Sequence, residues 1–319
     1  MDKSSKIYVA GHRGLAGSAI LRELERLDYT HVIVRSHADL DLEDAAATHS
    51  FFEEQKPDFV FMAAAKVGGI HANNIFPADF LMSNLLIEAN VFRAAHAAKV
   101  NRLILLGSSC IYPRDCPQPI KEEYLLTGPL EATNRSYALA KIAGVEMCWS
   151  YNRQHGTKWL SAMPTNLYGP GDAYHLENSH VLPALIRKMH EAKVNDAKEV
   201  VLWGSGKPRR EFLYAGDLAS ALIFLATLPT RQFDRLVNPA QCPLINVGSG
   251  KDLTVRELAE TVALAVGYRG SFVQDPGKPD GTMRKLLDTS RMAAYGWQSA
   301  ISLTDGLRLT YSDFEARFS

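Results

Sequence analysis

The sequence predicts an α/β protein built on a Rossmann-type doubly wound parallel sheet with a smaller C-terminal α/β substrate-binding domain. Three observations carry this: strand-like and helix-like segments alternate through the first half, a glycine-rich turn follows the first strand, and the strands are apolar on both faces. "KIYVAG" is a short buried strand and "AGSAILRELERL" the periodic helix after it. "THVIVR" and "DFVFMAAA" are the next strands, separated by the helical "DAAATHSFFEEQ". The long helix "DFLMSNLLIEANVFRAAHAAK" leads into the strand "RLILLGSS". Helix-length crossovers between strands require a parallel sheet covered on both faces. After about residue 165 the pattern loosens into the Pro, Gly and Asn-rich "PTNLYGPGDAYHLENSH". Two later pieces, the helix "AGDLASALIFLATL" and the strand "LINVGSG", have the character of segments that return to the first sheet. The expected organisation is a dinucleotide-binding domain over 1–165, rejoined by segments near 214–250, with 166–319 mainly a substrate-binding domain.

Composition narrows the function classes. With 319 residues and 46% hydrophobic content there is ample material for a packed core. Thirty-five Lys plus Arg balance 35 Asp plus Glu, so the field that attracts nucleic acid is absent. Apolar runs such as "FVFMAAA" and "LILLG" fall far short of the roughly 20 residues that cross a bilayer. His12 and Arg13 interrupt the N-terminal apolar stretch before a signal core forms, so a cytoplasmic location and no membrane partner are expected. Cys110, Cys116, Cys148 and Cys242 lack metal-ligand spacing and are expected as free thiols, with no metal.

The first strand runs into "GHRGLAG", that is Gly11, His12, Arg13, Gly14, Leu15, Ala16 and Gly17. Glycines here permit a tight turn and close approach of a pyrophosphate to a helix N-terminus. The second strand ends without an acid at its tip. Arg35 and Arg13 suit the 2′-phosphate of NADP better than the bare ribose of NAD, so NADP(H) is the expected cofactor. The G-x-x-G-x-x-G spacing resembles that of the short-chain dehydrogenase/reductase superfamily.

Further on, "SYALAK" places Tyr137 and Lys141 four residues apart, on one face of a helix. An ammonium beside a phenol favours phenolate and is expected to draw its pKa toward working pH. The strand "RLILLG" ends in Ser108, Ser109 and Cys110, and by position either serine could bind the carbonyl that Tyr137 serves. Cys110 is either a chemical group at a ligand-binding strand end or a small buried apolar side chain.

Together "AGHRGLAGSAI", "AAAKVGGIHANN", "LGSSCIYP", "EATNRSYALAKIAG", "YNRQHG", "MPTNLYGPGD", "NSHVLPALIRK", "WGSGKPRREFLY" and "KPDGTMRKLLD" resemble the GDP-L-fucose synthase family. These are the GDP-4-keto-6-deoxy-D-mannose 3,5-epimerase-4-reductases among the extended short-chain dehydrogenase/reductases, and the match runs from residue 6 to about 310. The resemblance implies Ser108, Tyr137 and Lys141 for ketone reduction, and Cys110 and His180 as the acid/base pair for epimerisation. It also implies cofactor contacts from Ala64, Leu106, Gly107, Ser108, Lys141, Pro164, Asn166, Leu167 and His180. The GDP-sugar would meet Asn166, Lys188, Trp203, Arg210, Asp280 and Lys285, with Trp203 stacking on the ligand and Arg210 pairing with pyrophosphate. Two positions depart from the family: Lys188 stands where arginine is frequent, and His37 where a second arginine would face the 2′-phosphate. A homodimer built on the two long helices "ADFLMSNLLIEANVFRAAHAA" and "NRSYALAKIAGVEMCWSYNRQ" is implied as well. The rival readings are another nucleotide-sugar 4-reductase, 4-epimerase or 4,6-dehydratase, and a catalytically silent NADP-binding protein. A dehydratase would want a Thr-Asp-Glu kind of segment where this chain has Ser-Ser-Cys.

Overall fold

Side-chain alternation along β1 (Ile7–Ala10) sets the architecture of the computed structural model, which describes residues 1–176, 179–277 and 280–318, with 70 and 71 described by backbone only. Ile7 and Val9 enter one apolar cluster while Tyr8 and Ala10 enter another, so the strand is buried on both faces. The chain continues through α1 (Leu15–Arg26), β2 (Val32–Ile33), α2 (Ala45–Gln55), β3 (Phe59–Met62), α3 (Ile70–Ile75), α4 (Pro77–Ala97), β4 (Arg102–Leu106), α5 (Arg135–His155) and β5 (Lys158–Pro164). Next come β6 (Asn166–Tyr168), α6 (Val181–Val194), β7 (Glu199–Trp203), β8 (Arg209–Tyr214), α7 (Ala215–Thr227), α8 (Thr230–Leu236) and β9 (Leu244–Val247). The last elements are β10 (Asp252–Thr254), α9 (Val255–Val266), β11 (Ser271–Asp275), β12 (Arg284–Lys285), α10 (Ser290–Ala294) and α11 (Leu303–Phe318).

Six strands form one parallel sheet in the order β2-β1-β3-β4-β5-β9. Helices α1 and α7 cover one face, and α2, α4 and α5 the other. The chain leaves β1 toward β2 and then crosses back to β3, so the carboxyl ends of β1 and β3 flank the switch point where such sheets bind ligands. Helix α7 and strand β9 return to this sheet, as their sequences suggest. Strand β2 keeps only two residues of "THVIVR", because the chain turns away at Ser36, whose hydroxyl donates to Asp39 Oδ2 at 2.5 Å.

A second layer gathers around β8, which pairs antiparallel with β10 and parallel with β12 and β6. Helices α6, α9 and α11 bury a separate core under it. Glu211 of β8 is fully buried, and its carboxylate accepts the backbone N–H groups of Gly250 (2.7 Å) and Leu287 (2.9 Å). The Thr165 hydroxyl and Asn166 amide donate to the Glu211 carbonyl at 3.1 and 2.8 Å. One residue thus ties the exit of the large sheet to the segment that carries Lys285.

Asp172, on the loop after β6, is buried with Oδ1 accepting from the Ala173 N–H at 2.8 Å and Oδ2 unpaired among the described residues. Burial pushes its carboxyl up to about 7, with the Ala173 bond and Arg317 opposing. A folded-state value above the unfolded one means that stability from this group is complete below about pH 4 and is lost as pH climbs to about 7. Asp172→Asn cannot ionise, so its melting temperature should rise relative to the parent across that window. A difference that stays constant from pH 4 to 8 in thermal melts would contradict the assignment.

Candidate active site

The chain leaves β1 at Gly11 with φ of +80°, a conformation that disfavours a Cβ. A Cβ on Gly11 would stand 2.7 Å from the Ala64 backbone nitrogen, and one on Gly17 would stand 2.1 Å from the Gly11 carbonyl oxygen. Gly14 is less constrained, since its Cβ would meet Gly11 O at an ordinary 3.5 Å. It caps α1 without any side-chain bond, which leaves the N–H groups of Leu15, Ala16 and Gly17 at an open helix N-terminus. His12 Nδ1 is buried there with no hydrogen-bond partner among the described residues. The flat glycine cradle, the open helix end and the unpaired imidazole atom fit a dinucleotide pyrophosphate.

Arg13 in the turn after β1 and Arg35 just beyond β2 are exposed, and the charges of both act on Asp39. Hydrogen bonds from Ser36 hold the Asp39 carboxyl below its ordinary range first, and the two guanidinium groups add to that. Both charges reach the same carboxyl, while His37 Nδ1 lies 3.7 Å from Asp41 Oδ1. Leu106 ends β4 and Pro164 ends β5, with Gly107 lacking a side chain where Met163 packs in; Asn166 and Leu167 begin and continue β6. The expected cofactor residues from Gly11 to Leu167 thus gather along the carboxyl edge of the large sheet.

Beyond β4 a short 3-10 turn, Ser109–Ile111, places its neighbours in different surroundings. Ser109 is buried, whereas Ser108 is half-buried, accepts the Cys110 N–H at 3.3 Å and bonds the Tyr137 phenol. Ser108 is therefore the strand-end hydroxyl that faces the site. Lys141 lies with Nζ 5.9 Å from the Tyr137 ring centroid. It donates to Glu88 Oε1 at 3.0 Å and to the Leu106 carbonyl at 3.1 Å, with both side chains of the ion pair essentially buried. Burial first, then the charges of Cys110 and Glu88, push Tyr137 well above the ordinary tyrosine range, against the Ser108 bond. The expectation that Tyr137 is drawn toward neutral pH is corrected accordingly: burial, and then nearby negative charge, outweigh the neighbouring ammonium.

Cys110 accepts a hydrogen bond from Asn134 Nδ2 at 3.1 Å, and Lys285 Nζ stands 3.7 Å from its sulfur. All four cysteines are free. His180 forms the N-cap of α6 without a side-chain capping bond. The residue is exposed to solvent, yet partial desolvation by the protein beside its ring, and then the charge of Lys285, push the imidazole below the ordinary histidine range. Lys285 therefore links thiol and imidazole. Of the "NSH" segment, Asn178 lies outside the described residues, as do Lys278 and Pro279 of "KPDGTMRKLLD".

Arg210 and Lys285 are register partners across β8 and β12, and Arg210 Nη2 donates to the Asp280 carbonyl at 3.3 Å. Asp280 itself accepts from the Ser205 N–H and hydroxyl, each at 2.7 Å. Lys188 instead sits over the Trp203 ring at 4.8 Å, so the indole face expected to meet ligand is met by an ammonium. Sequence reasoning missed Asn134 and Glu88. Asn134 stands at the N-cap of α5, where asparagine is the ordinary choice, and only its missing cap bond shows that it serves Cys110. Among the described residues no cluster of three or more His, Cys, Asp or Glu could hold a metal ion, and no helix is long and apolar enough to cross a membrane.

Residues 7–238 match the NAD dependent epimerase/dehydratase family. The chain is 54% identical over 311 residues to the Putative GDP-L-fucose synthase 2 of Arabidopsis thaliana, covering 98% of this chain and 92% of that relative. It is 52% identical over 309 residues to the GDP-L-fucose synthase of Escherichia coli (strain K12), covering 97% and 96%. Among solved structures it is similar to a GDP-mannoheptose C4 reductase from Campylobacter jejuni with NADP bound, at TM-score 0.88 and 35% identity over 99% of each chain.

Proposed function

We infer, for a chain that belongs to the NAD dependent epimerase/dehydratase family and to its GDP-L-fucose synthase branch, that it converts GDP-4-keto-6-deoxy-D-mannose to GDP-L-fucose by 3,5-epimerisation and 4-keto reduction. The observation that carries the double chemistry is Lys285, which brings Cys110 and His180 under one charge beside Tyr137. The C4 ketone acidifies the protons on C3 and C5. Cys110 and His180 remove and return them, and the imidazole, held neutral at pH 7, is free to accept one. The Tyr137 hydroxyl and Ser108 donate to the C4 oxygen while it carries enolate charge. NADPH, when bound, supplies the hydride to C4, and Tyr137 then gives its proton to the C4 oxygen.

Exposed Arg13 and Arg35, whose charges both reach Asp39, support NADPH over NADH. In this reading residues 1–165, with 214–250, hold the cofactor, and 166–319 mainly hold the nucleotide sugar through Arg210 and its neighbours. Exposed Met82 and Leu86 on α4 and Leu139 on α5 support a homodimer through these two helices. Light scattering at micromolar concentration should give twice the chain mass, and a monomer would sink that part.

The reading is tested by supplying GDP-4-keto-6-deoxymannose and NADPH in heavy water. NADPH oxidation with deuterium at C3 and C5 of the product is the expected result. Oxidation without deuterium would leave a plain C4 reductase.

A further inference from the structure

Glu88 is a carboxylate in the wrong company for a residue that only stabilises the fold. It lies on α4, 1% exposed, with Oε1 on the Lys141 ammonium at 3.0 Å and Oε2 unpaired among the described residues. A buried ion pair returns little stability against the cost of stripping water from both charges, least of all with one oxygen unpaired. The chain nonetheless makes room for it. Gly144 on α5 faces the carboxylate, and a Cβ there would stand 2.6 Å from Oε2 and 2.7 Å from Leu105 Cδ2. Lys141 is also fixed from the other side by the Leu106 carbonyl, so its ammonium is clamped between β4 and α4 below the Tyr137 ring.

We propose that Glu88 is a positioning residue for ketone reduction: its carboxylate holds and neutralises Lys141, and so keeps Tyr137 in its proton-bearing form beside the substrate. The proposal rests on the reading of Tyr137 and Lys141 given above and goes beyond it. The ionisable groups that face Glu88 are Lys141, Tyr137 and Cys148 from α5, with Cys110 beyond Tyr137 on the turn after β4. Gly144 of α5 faces the carboxylate, and a Cβ there would also meet apolar Leu105 of β4. Burial raises the Glu88 carboxyl, and the charge and hydrogen bond of Lys141 oppose that. A phenol that must deliver a proton to an alkoxide has to arrive protonated. An uncompensated ammonium a few ångströms below it would empty it early.

The test is the pH profile of single-turnover NADPH oxidation at saturating substrate, read on the intact protein. Glu88→Gln keeps shape and removes charge, and it should move the alkaline fall of reduction down by about one to two pH units, the effect of leaving the Lys141 ammonium, 5.9 Å from the Tyr137 ring centroid, without its counter-charge at an effective dielectric constant of about 20. Glu88→Asp draws the charge back by about one C–C bond, ~1.5 Å, and should move the fall in the same direction by less. Tyr137→Phe, run alongside, separates the two ideas. Profiles of folded Glu88→Gln or Glu88→Asp that superimpose on the parent, while Tyr137→Phe is inactive, overturn the role of Glu88 alone. Tyr137→Phe reducing at the parental rate overturns the site reading beneath it.

Discussion

Cys110→Ser should abolish deuterium incorporation at one or both epimerised carbons by about 10²–10⁴-fold while the C4 reduction retains a measurable rate. The physical reason is confined to the sulfur. The thiol is held by Asn134 at 3.1 Å, with Lys285 Nζ 3.7 Å from its sulfur. A serine hydroxyl in the same cage is a far weaker acid and, neutral, a far weaker base. Tyr137, Ser108 and Lys141 are untouched, so hydride transfer keeps its machinery. The assay is the heavy-water reaction followed by NMR for isotope and by NADPH absorbance for reduction. The expected product is a C4-reduced sugar in which at least one of the two centres has kept its configuration. Normal exchange at both carbons would remove Cys110 from the chemistry and return it to the role of a small side chain.

What the sequence disclosed and what it withheld divide along a physical line. Gly11 and Gly17 were legible because backbone contact excludes a side chain at each, and such demands are local. Tyr137 and Lys141 were legible because a spacing of four is one turn of helix. The double-sided burial of β1, β3 and β4 shows as unbroken apolar runs. Position alone left Ser108 and Ser109 equal and the resemblance picked Ser108; the physical reason, the 3-10 turn that buries Ser109, is one that no periodicity announces. Glu88 was beyond reach: within "SNLLIEAN" it looks like a solvent-facing residue, and its partner lies 53 positions away on another helix. Lys285 was legible only as a ligand contact. Its reach to Cys110, 175 positions distant, depends on β12 pairing with β8 and on Glu211 anchoring Leu287 beside it. Functional side chains that answer to other side chains are written in the tertiary contacts, whereas those that answer to backbone geometry are written in the chain.

Tyr137→Phe should cost C4 reduction about 10²–10⁴-fold, with isotope exchange at C3 and C5 slowed less because Ser108 still donates to the C4 oxygen. The asymmetry follows from what each step asks of the phenol. In exchange, a hydrogen bond to enolate oxygen suffices, and the serine can share it. In reduction, a proton must move onto the alkoxide, and the hydroxyl of Tyr137 is the protonated acid in contact with Ser108. Burial keeps that proton on the phenol well above neutral pH, so the parental reduction rate should hold on the alkaline side up to and beyond the ordinary tyrosine value near 10. The partly desolvated imidazole of His180 has the opposite displacement: exchange should persist on the acid side to lower pH than an ordinary histidine allows, and fail once that ring is protonated. Measured on one preparation, the two profiles should therefore separate, with exchange limited by its acid limb and reduction by its alkaline one. If Tyr137→Phe lowers both by the same factor, one group serves both steps equally and the division of labour between Tyr137 and the Cys110–His180 pair is wrong.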